Sequence, residues 1–182
     1  MKYIVDKWVL IMAVISCAVF SHVVSSLALD HEFAGVDKCR LCHKKPEQGE
    51  QYLIWQGTGH AKAFQALGTP EAKAAAEKLG ISDPQTNPKC LRCHSTAYYF
   101  TETKQTDVIP VEEGISCESC HGPGKDYMKK SIMENKEEAV ANGLLIQTQE
   151  LCLKCHNQES PTYKPFNFDE RWAKIAHPVP KK

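Results

Sequence analysis

A surplus of charge is the first thing the chain lacks: 22 Lys and Arg stand against 22 Asp and Glu in 182 residues. The concentrated basic face that nucleic-acid binding requires is therefore not expected, and nucleic acid drops out as a partner. Glycine-rich phosphate and dinucleotide loops are absent as well, which removes the nucleotide-binding folds. Beyond residue 28 large hydrophobic side chains are sparse, while Lys, Glu, Gln and Thr are frequent. A domain of this size ordinarily closes around one apolar core, so another source of buried apolar surface is required. Long apolar runs are missing too, with one exception. Residues 8–20 form an uncharged stretch of thirteen, short of the about 20 residues that a membrane-spanning helix needs.

That exception has the form of a leader. Lys2 and Lys7 give it a basic n-region, and Ser26-Leu27-Ala28 places small residues at the −3 and −1 positions of a cleavage site. Residues 1–28 are expected to be a signal peptide and residues 29–182 the mature domain, which predicts a periplasmic or otherwise exported protein. The more polar stretch up to Ala28 would bring the segment to spanning length, so an uncleaved N-terminal anchor is the alternative. Membrane contact is expected only in that case.

Cysteine, by contrast, is plentiful. Eight of nine fall in four copies of one pentad: Cys39-Arg40-Leu41-Cys42-His43, Cys90-Leu91-Arg92-Cys93-His94, Cys117-Glu118-Ser119-Cys120-His121 and Cys152-Leu153-Lys154-Cys155-His156. Cys-x-x-Cys-His is how a polypeptide attaches c-type haem. The two thiols form thioethers with the porphyrin vinyl groups, and the adjacent imidazole ligates the iron. Four covalently bound haems c are predicted, with His43, His94, His121 and His156 as proximal iron ligands. Four disulfides or two zinc ribbons would use the cysteines but leave four trailing histidines as coincidence. A thioredoxin-like motif needs one Cys-x-x-Cys in an α/β setting. Covalent haem attachment takes place outside the cytoplasm, so leader and pentads agree. The porphyrins supply the missing apolar surface, and the apo-chain is expected to be largely unfolded. Haem propionates make a near-neutral domain acidic.

Between the pentads the pattern predicts mainly α structure with little regular secondary structure. Residues 59–67 read as a short helix beginning near His60. Thr69-Pro70 supplies an N-cap and a first-turn proline for a helix over 71–79, stopped by Gly80. Asp83-Pro84 and Asn87-Pro88 mark turns leading into the second pentad. Residues 98–111, rich in Tyr, Phe, Thr and Val, are compatible with a short β-hairpin. Residues 135–142 look helical, and Thr148 is a cap for the turn carrying the fourth pentad.

Three segments carry a family resemblance: His60-Ala61-Lys62-Ala63, then residues 114–124 with Cys117-Glu118-Ser119-Cys120-His121-Gly122-Pro123-Gly124, then Phe166-Asn167-Phe168-Asp169-Glu170. They resemble the tetrahaem cytochrome c-554 family of nitrifying bacteria over nearly the whole mature chain. That resemblance implies a mainly α-helical protein built around four stacked haems. It also implies an electron shuttle with redox-protein donor and acceptor, the donor being hydroxylamine oxidoreductase-like.

Four irons need four distal ligands, yet residues 29–182 hold three histidines outside the pentads: His31, His60 and His177. Paired imidazoles give low-spin haems suited to electron transfer, whereas an open position admits small molecules. The resemblance makes His60 the distal ligand to the haem of His121, and His177 that to the haem of His156. A surface His60 beside Trp55 and a His177 in a mobile tail are the bland alternatives. The family places a distal histidine shortly after Gly-Pro-Gly for the first haem, but Lys125-Asp126-Tyr127-Met128-Lys129-Lys130 has none. Met128 and His31 are the candidates there. Core packing is the preferred reading of Met128, and a mobile terminus is that of His31, which lies close to the predicted N-terminus. The His94 haem is open in the family, covered by a segment like Tyr163-Lys164-Pro165-Phe166, where Lys164 stands in place of a hydroxylated residue.

Electron transfer in a respiratory chain is the leading expectation, and it needs no catalytic residue. Reduction of nitric oxide or a related nitrogen oxide at the His94 haem is one alternative. A filament subunit that borrows its missing ligand from the next copy is another.

Overall fold

Each pentad is one helical turn, and that local fact organises the chain. In an α-helix positions i, i+3 and i+4 lie on one face, so both thiols and the imidazole of a pentad project together. The computed structural model describes residues 31–178, and the leader read in residues 1–28 lies outside the described residues. In chain order the helices are α1 (Val36–His43), α2 (Gln51–Gln56), α3 (Ala63–Ala66), α4 (Pro70–Glu77), α5 (Pro88–His94), α6 (Cys117–His121), α7 (Lys130–Met133), α8 (Lys136–Ala141), α9 (Gln149–Leu153) and α10 (Phe168–Ile175). Helices α1, α5 and α6 end on their pentad histidines, and α9 runs into the turn that carries Cys155 and His156.

Side-chain caps start five of these ten helices. Thr69 accepts from Ala72 N at 3.2 Å with Pro70 in the first turn of α4, and Thr148 accepts from Leu151 N at 3.3 Å at α9. Each such bond satisfies an orphan donor and contributes about 1 kcal/mol. Asn135 and Asn167 cap α8 and α10 in the same way. Asn87-Pro88 is not only a turn: Asn87 caps α5 through Lys89 N at 3.0 Å, and Pro88 is its first residue. The helix expected over 59–67 is shorter than read, with turns over 59–62 and α3 after them.

The β-hairpin expected over residues 98–111 is not formed, and no strand occurs among the described residues. Local bonds win over a ladder. Thr101 Oγ1 donates to Thr103 O at 2.7 Å, Gln105 N donates to Ala97 O at 2.7 Å, and Lys104 pairs with Asp107 at 2.6 Å. Such side-chain-to-backbone contacts offer β-prone residues a non-strand solution. Phe100, at φ 57°, bends the chain further.

The apolar core made by protein side chains is thin. Leu91 and Ile109 are the largest fully buried aliphatics, and Glu118, Thr96 and Ser95 are buried beside them. Leu41 and Leu53 remain 59% and 46% exposed. A polar hub takes the place of a larger core. Buried Thr96 donates to Gly114 O at 3.1 Å, meets Ser119 Oγ at 2.8 Å and accepts from Ser116 N at 2.7 Å. It thereby fastens the end of α5 to α6.

Candidate haem-binding sites

The four pentads come together around α6. Cys39 and Cys117 are side-chain neighbours, as are Cys93 and Cys155, and Cys120 lies near Cys152. The first pentad therefore adjoins the third, the second adjoins the fourth, and the third and fourth connect the two pairs. Glu118, between the two cysteines of α6, is 1% exposed. It accepts from Ala34 N at 2.8 Å, Gly35 N at 2.9 Å and Gly124 N at 2.6 Å. This one carboxylate clamps the approach to α1 and the Gly-Pro-Gly loop onto the third pentad. Gln147 Nε2 donates to Cys120 O at 3.0 Å and to Leu145 O at 2.9 Å, which ties the approach to α9 to the end of α6.

Two pentad histidines have their rings oriented by acceptors. His94 Nδ1 lies 2.7 Å from Ala63 O, and His43 Nδ1 lies 3.1 Å from Gln51 Oε1. Carbonyl oxygens only accept, so Nδ1 carries the proton in both and Nε2 is left as the ligating nitrogen. Gln51 reaches on to Pro178 O at 2.8 Å and links the His43 site to the C-terminal segment.

The remaining histidines come in pairs. The His60 ring centroid lies 6.0 Å from that of His156, and His177 stacks 5.7 Å from His121. The partners are crossed relative to the family resemblance, which joined His60 to His121 and His177 to His156. Backbone bonds place His60: Ile115 N donates to His60 O at 2.9 Å, and Trp55 Nε1 donates to Ile115 O at 2.8 Å. Gly114 makes room, since a Cβ there would stand 2.7 Å from His60 O.

These pairs fit haem iron. Metal–imidazole bonds of about 2 Å on opposite sides of one ion place two ring centroids about 6 Å apart. Among the described residues no three His, Cys, Asp or Glu side chains gather as a metal-ion cage. Paired axial imidazoles are what an iron already held by a porphyrin requires. Electrostatics favour the neutral, ligating imidazole. Burial and the neighbouring His177 and His43 push His121 down to about 4. Burial and His156 lower His60, and burial, then Arg171 and His94, lower His156. Burial is also the main cause that lowers His177.

The other predicted residues sit as follows. Met128 is 41% exposed and is not part of the packed core. Phe166 stacks on His156 at 5.0 Å, so the Tyr163-to-Phe166 segment passes beside the fourth pentad. His31 Nδ1 lies 2.7 Å from Asp126 Oδ2. Sequence reasoning missed Glu118, Gln51, Gln147 and Asp126. Glu118 alone left a signal, as an acid between two cysteines destined for burial.

The family described as cytochrome c554 and c-prime matches residues 38–122. Cytochrome c-554 of Nitrosomonas europaea is 31% identical over 160 residues, covering 76% of this chain. The chain spans 64% of the length of that curated relative. The solved structure of reduced cytochrome c554 from Nitrosomonas europaea superposes with a TM-score of 0.53 at 26% identity, over 81% of this chain and 79% of that one.

Proposed function

We propose that this chain, a member of the cytochrome c-554 family with four covalently bound haems c, is an exported electron carrier between a redox-protein donor and acceptor of a respiratory chain. The observation that carries the reading is the adjacency of the pentads: first beside third, second beside fourth, third beside fourth. Bound haem supplies reversible one-electron exchange at its iron. The chain's work is to keep four such groups in contact and to set their potentials through axial ligands and burial. Cys39 with Cys42, Cys90 with Cys93, Cys117 with Cys120 and Cys152 with Cys155 attach them. His60 would then share an iron with His156, and His177 with His121. A hydroxylamine oxidoreductase-like donor is the partner that the family resemblance suggests. Spectroelectrochemical titration of the holoprotein tests the reading. Four one-electron steps are expected, and a single one-electron step overturns it. The mass of the native protein tests export: a chain beginning at Leu29 supports a cleaved leader, whereas a retained Met1 segment points to an anchor.

A second reading rests on the histidine count of residues 29–182, which leaves one pentad without a partner, and among the described residues the two ring pairs involve His156 and His121, not His94. Reduction of a small nitrogen oxide would then take place at that site, beside Ala63 and α3. A high-spin ferric signal that shifts on addition of nitric oxide supports it. An all-low-spin protein eliminates it.

A further inference from the structure

His31 precedes every regular element described, yet it is not placed as a loose terminus. Its side chain is 15% exposed, and Nδ1 lies 2.7 Å from Asp126 Oδ2. A carboxylate only accepts, so Nδ1 donates, and in the neutral imidazole Nε2 presents a lone pair. That Nε2 is buried and has no hydrogen-bond partner among the described residues. Leaving a buried acceptor unsatisfied costs about 1–3 kcal/mol, and a chain that spends this at a surface histidine needs a reason. Imidazole with one nitrogen donating to a carboxylate and the other unpartnered is the arrangement of a metal-bound histidine.

The placement is built by several contacts. Glu32 pairs with Lys125, and Lys125 N donates to Glu32 O at 3.1 Å. Glu118 fixes Ala34 and Gly35 two residues further on. The His31 ring packs on Gly143 so closely that a Cβ there would stand 2.6 Å from His31 Cδ2. The only segment that could carry a family-type distal histidine after Gly-Pro-Gly is therefore the one that grips His31 instead.

Position and count select the iron. His60 faces His156 and His177 faces His121, which leaves the sites of His43 and His94. His94 lies with Ala63 and His156. His31 is held by Asp126, which is followed by Tyr127, itself a neighbour of Cys39 and Cys117. We propose that His31, oriented by Asp126, is the sixth ligand of the iron attached through Cys39 and Cys42, opposite His43. The first site regains by an N-terminal histidine what it lost after Gly-Pro-Gly. His94 is then the single open iron, and Met128 is not a ligand.

The inference rests on the tetrahaem reading, and its test separates the two. Mature holoprotein is prepared as wild type, His31→Gly, Asp126→Asn and Met128→Leu, with haem content taken from intact mass and spin state from ferric electron paramagnetic resonance. Wild type is expected to carry four haems with one high-spin iron. His31→Gly is expected to show two, returning to one when imidazole is added, and Met128→Leu to match wild type. Asp126→Asn retains the ligand but weakens its basicity, so one of the four redox steps is expected to move to higher potential. A four-haem His31→Gly protein with one high-spin iron overturns the assignment and leaves the electron-carrier reading standing. Conversion by Met128→Leu, or an Asp126→Asn titration identical to wild type, overturns it as well. Wild type with fewer than four haems overturns both.

Discussion

Replacing Glu118 by Gln tests whether one buried carboxylate organises the first and third pentads. The side chain keeps its shape, and the amide oxygen can retain the Oε1 position that receives Ala34 N and Gly124 N. Its NH2 group then faces Gly35 N, donor against donor, at a site where the native distance is 2.9 Å. One charge-assisted bond, about 1.5–3 kcal/mol, is lost, and two more fall from charge-assisted to neutral strength, about half. The expected destabilisation is about 3 kcal/mol, and Glu118→Ala, which orphans all three donors, is expected to lose about 5 kcal/mol. Guanidinium unfolding of the holoprotein followed by Soret circular dichroism measures the change, and hydrogen exchange by mass spectrometry localises it. Faster exchange is expected in peptides covering residues 31–36 and 122–125, with little change around α4. A Gln variant within about 0.5 kcal/mol of wild type, the range of ordinary surface substitutions, with unchanged exchange at Ala34, Gly35 and Gly124, would refute the clamp.

His60→Ala and His177→Ala are each expected to add one high-spin iron, and the double variant two, as read by electron paramagnetic resonance. Gly114→Ala is expected to destabilise the holoprotein and disturb the His60 site. Gly114 has φ 76° and ψ −147°, a region nearly reserved for glycine that costs about 1–3 kcal/mol for other residues, and its Cβ would strike backbone oxygen. Thermal unfolding and spin state report the two effects. The pH dependence has a definite sign. The lowered His121 value, about 4, means that the neutral ligating form persists as pH falls and is lost only as pH passes through that value. The His121 site is therefore expected to stay low-spin from pH 8 to about pH 5, checked by absorbance titration, and its conversion near the free-histidine pKa contradicts this.

The sequence made visible what depends on near neighbours. The pentads lie on helical turns because i, i+3 and i+4 share a face, and Thr69-Pro70 starts α4 because cap and first turn are both local. Asn87-Pro88 was ambiguous, since the same pair opens a turn or caps a helix, and only the following Leu91, fully buried, decides for α5. The hairpin failed for the opposite reason. Composition favoured strands over 98–111, but threonine hydroxyls in reach of the local backbone offered a closer partner than a second strand. Ligand pairing was out of reach because nothing near His60 in sequence states that Ile115 will hold its carbonyl and turn its ring toward His156. The family resemblance supplied a pairing, and the rings stand the other way.

Four identical motifs end up in four different settings because the distal side is assembled from unrelated parts of the chain. His60 is delivered by a turn locked to Gly114 and Ile115, and His177 by a C-terminal segment that Gln51 catches at Pro178. His31 comes from ahead of α1 and is oriented by an acid that follows the third pentad. The pentads, being local, are free to repeat, but each distal partner needs its own long-range contact, and those contacts are distributed unevenly. Axial ligation sets haem potential, so this unevenness is a means of ordering potentials along the chain of haems. On the proposed ligation, His94, whose Nδ1 faces Ala63 O, would hold the iron left without a sixth ligand, and electrons collected by the others could leave there to a small molecule instead of a protein.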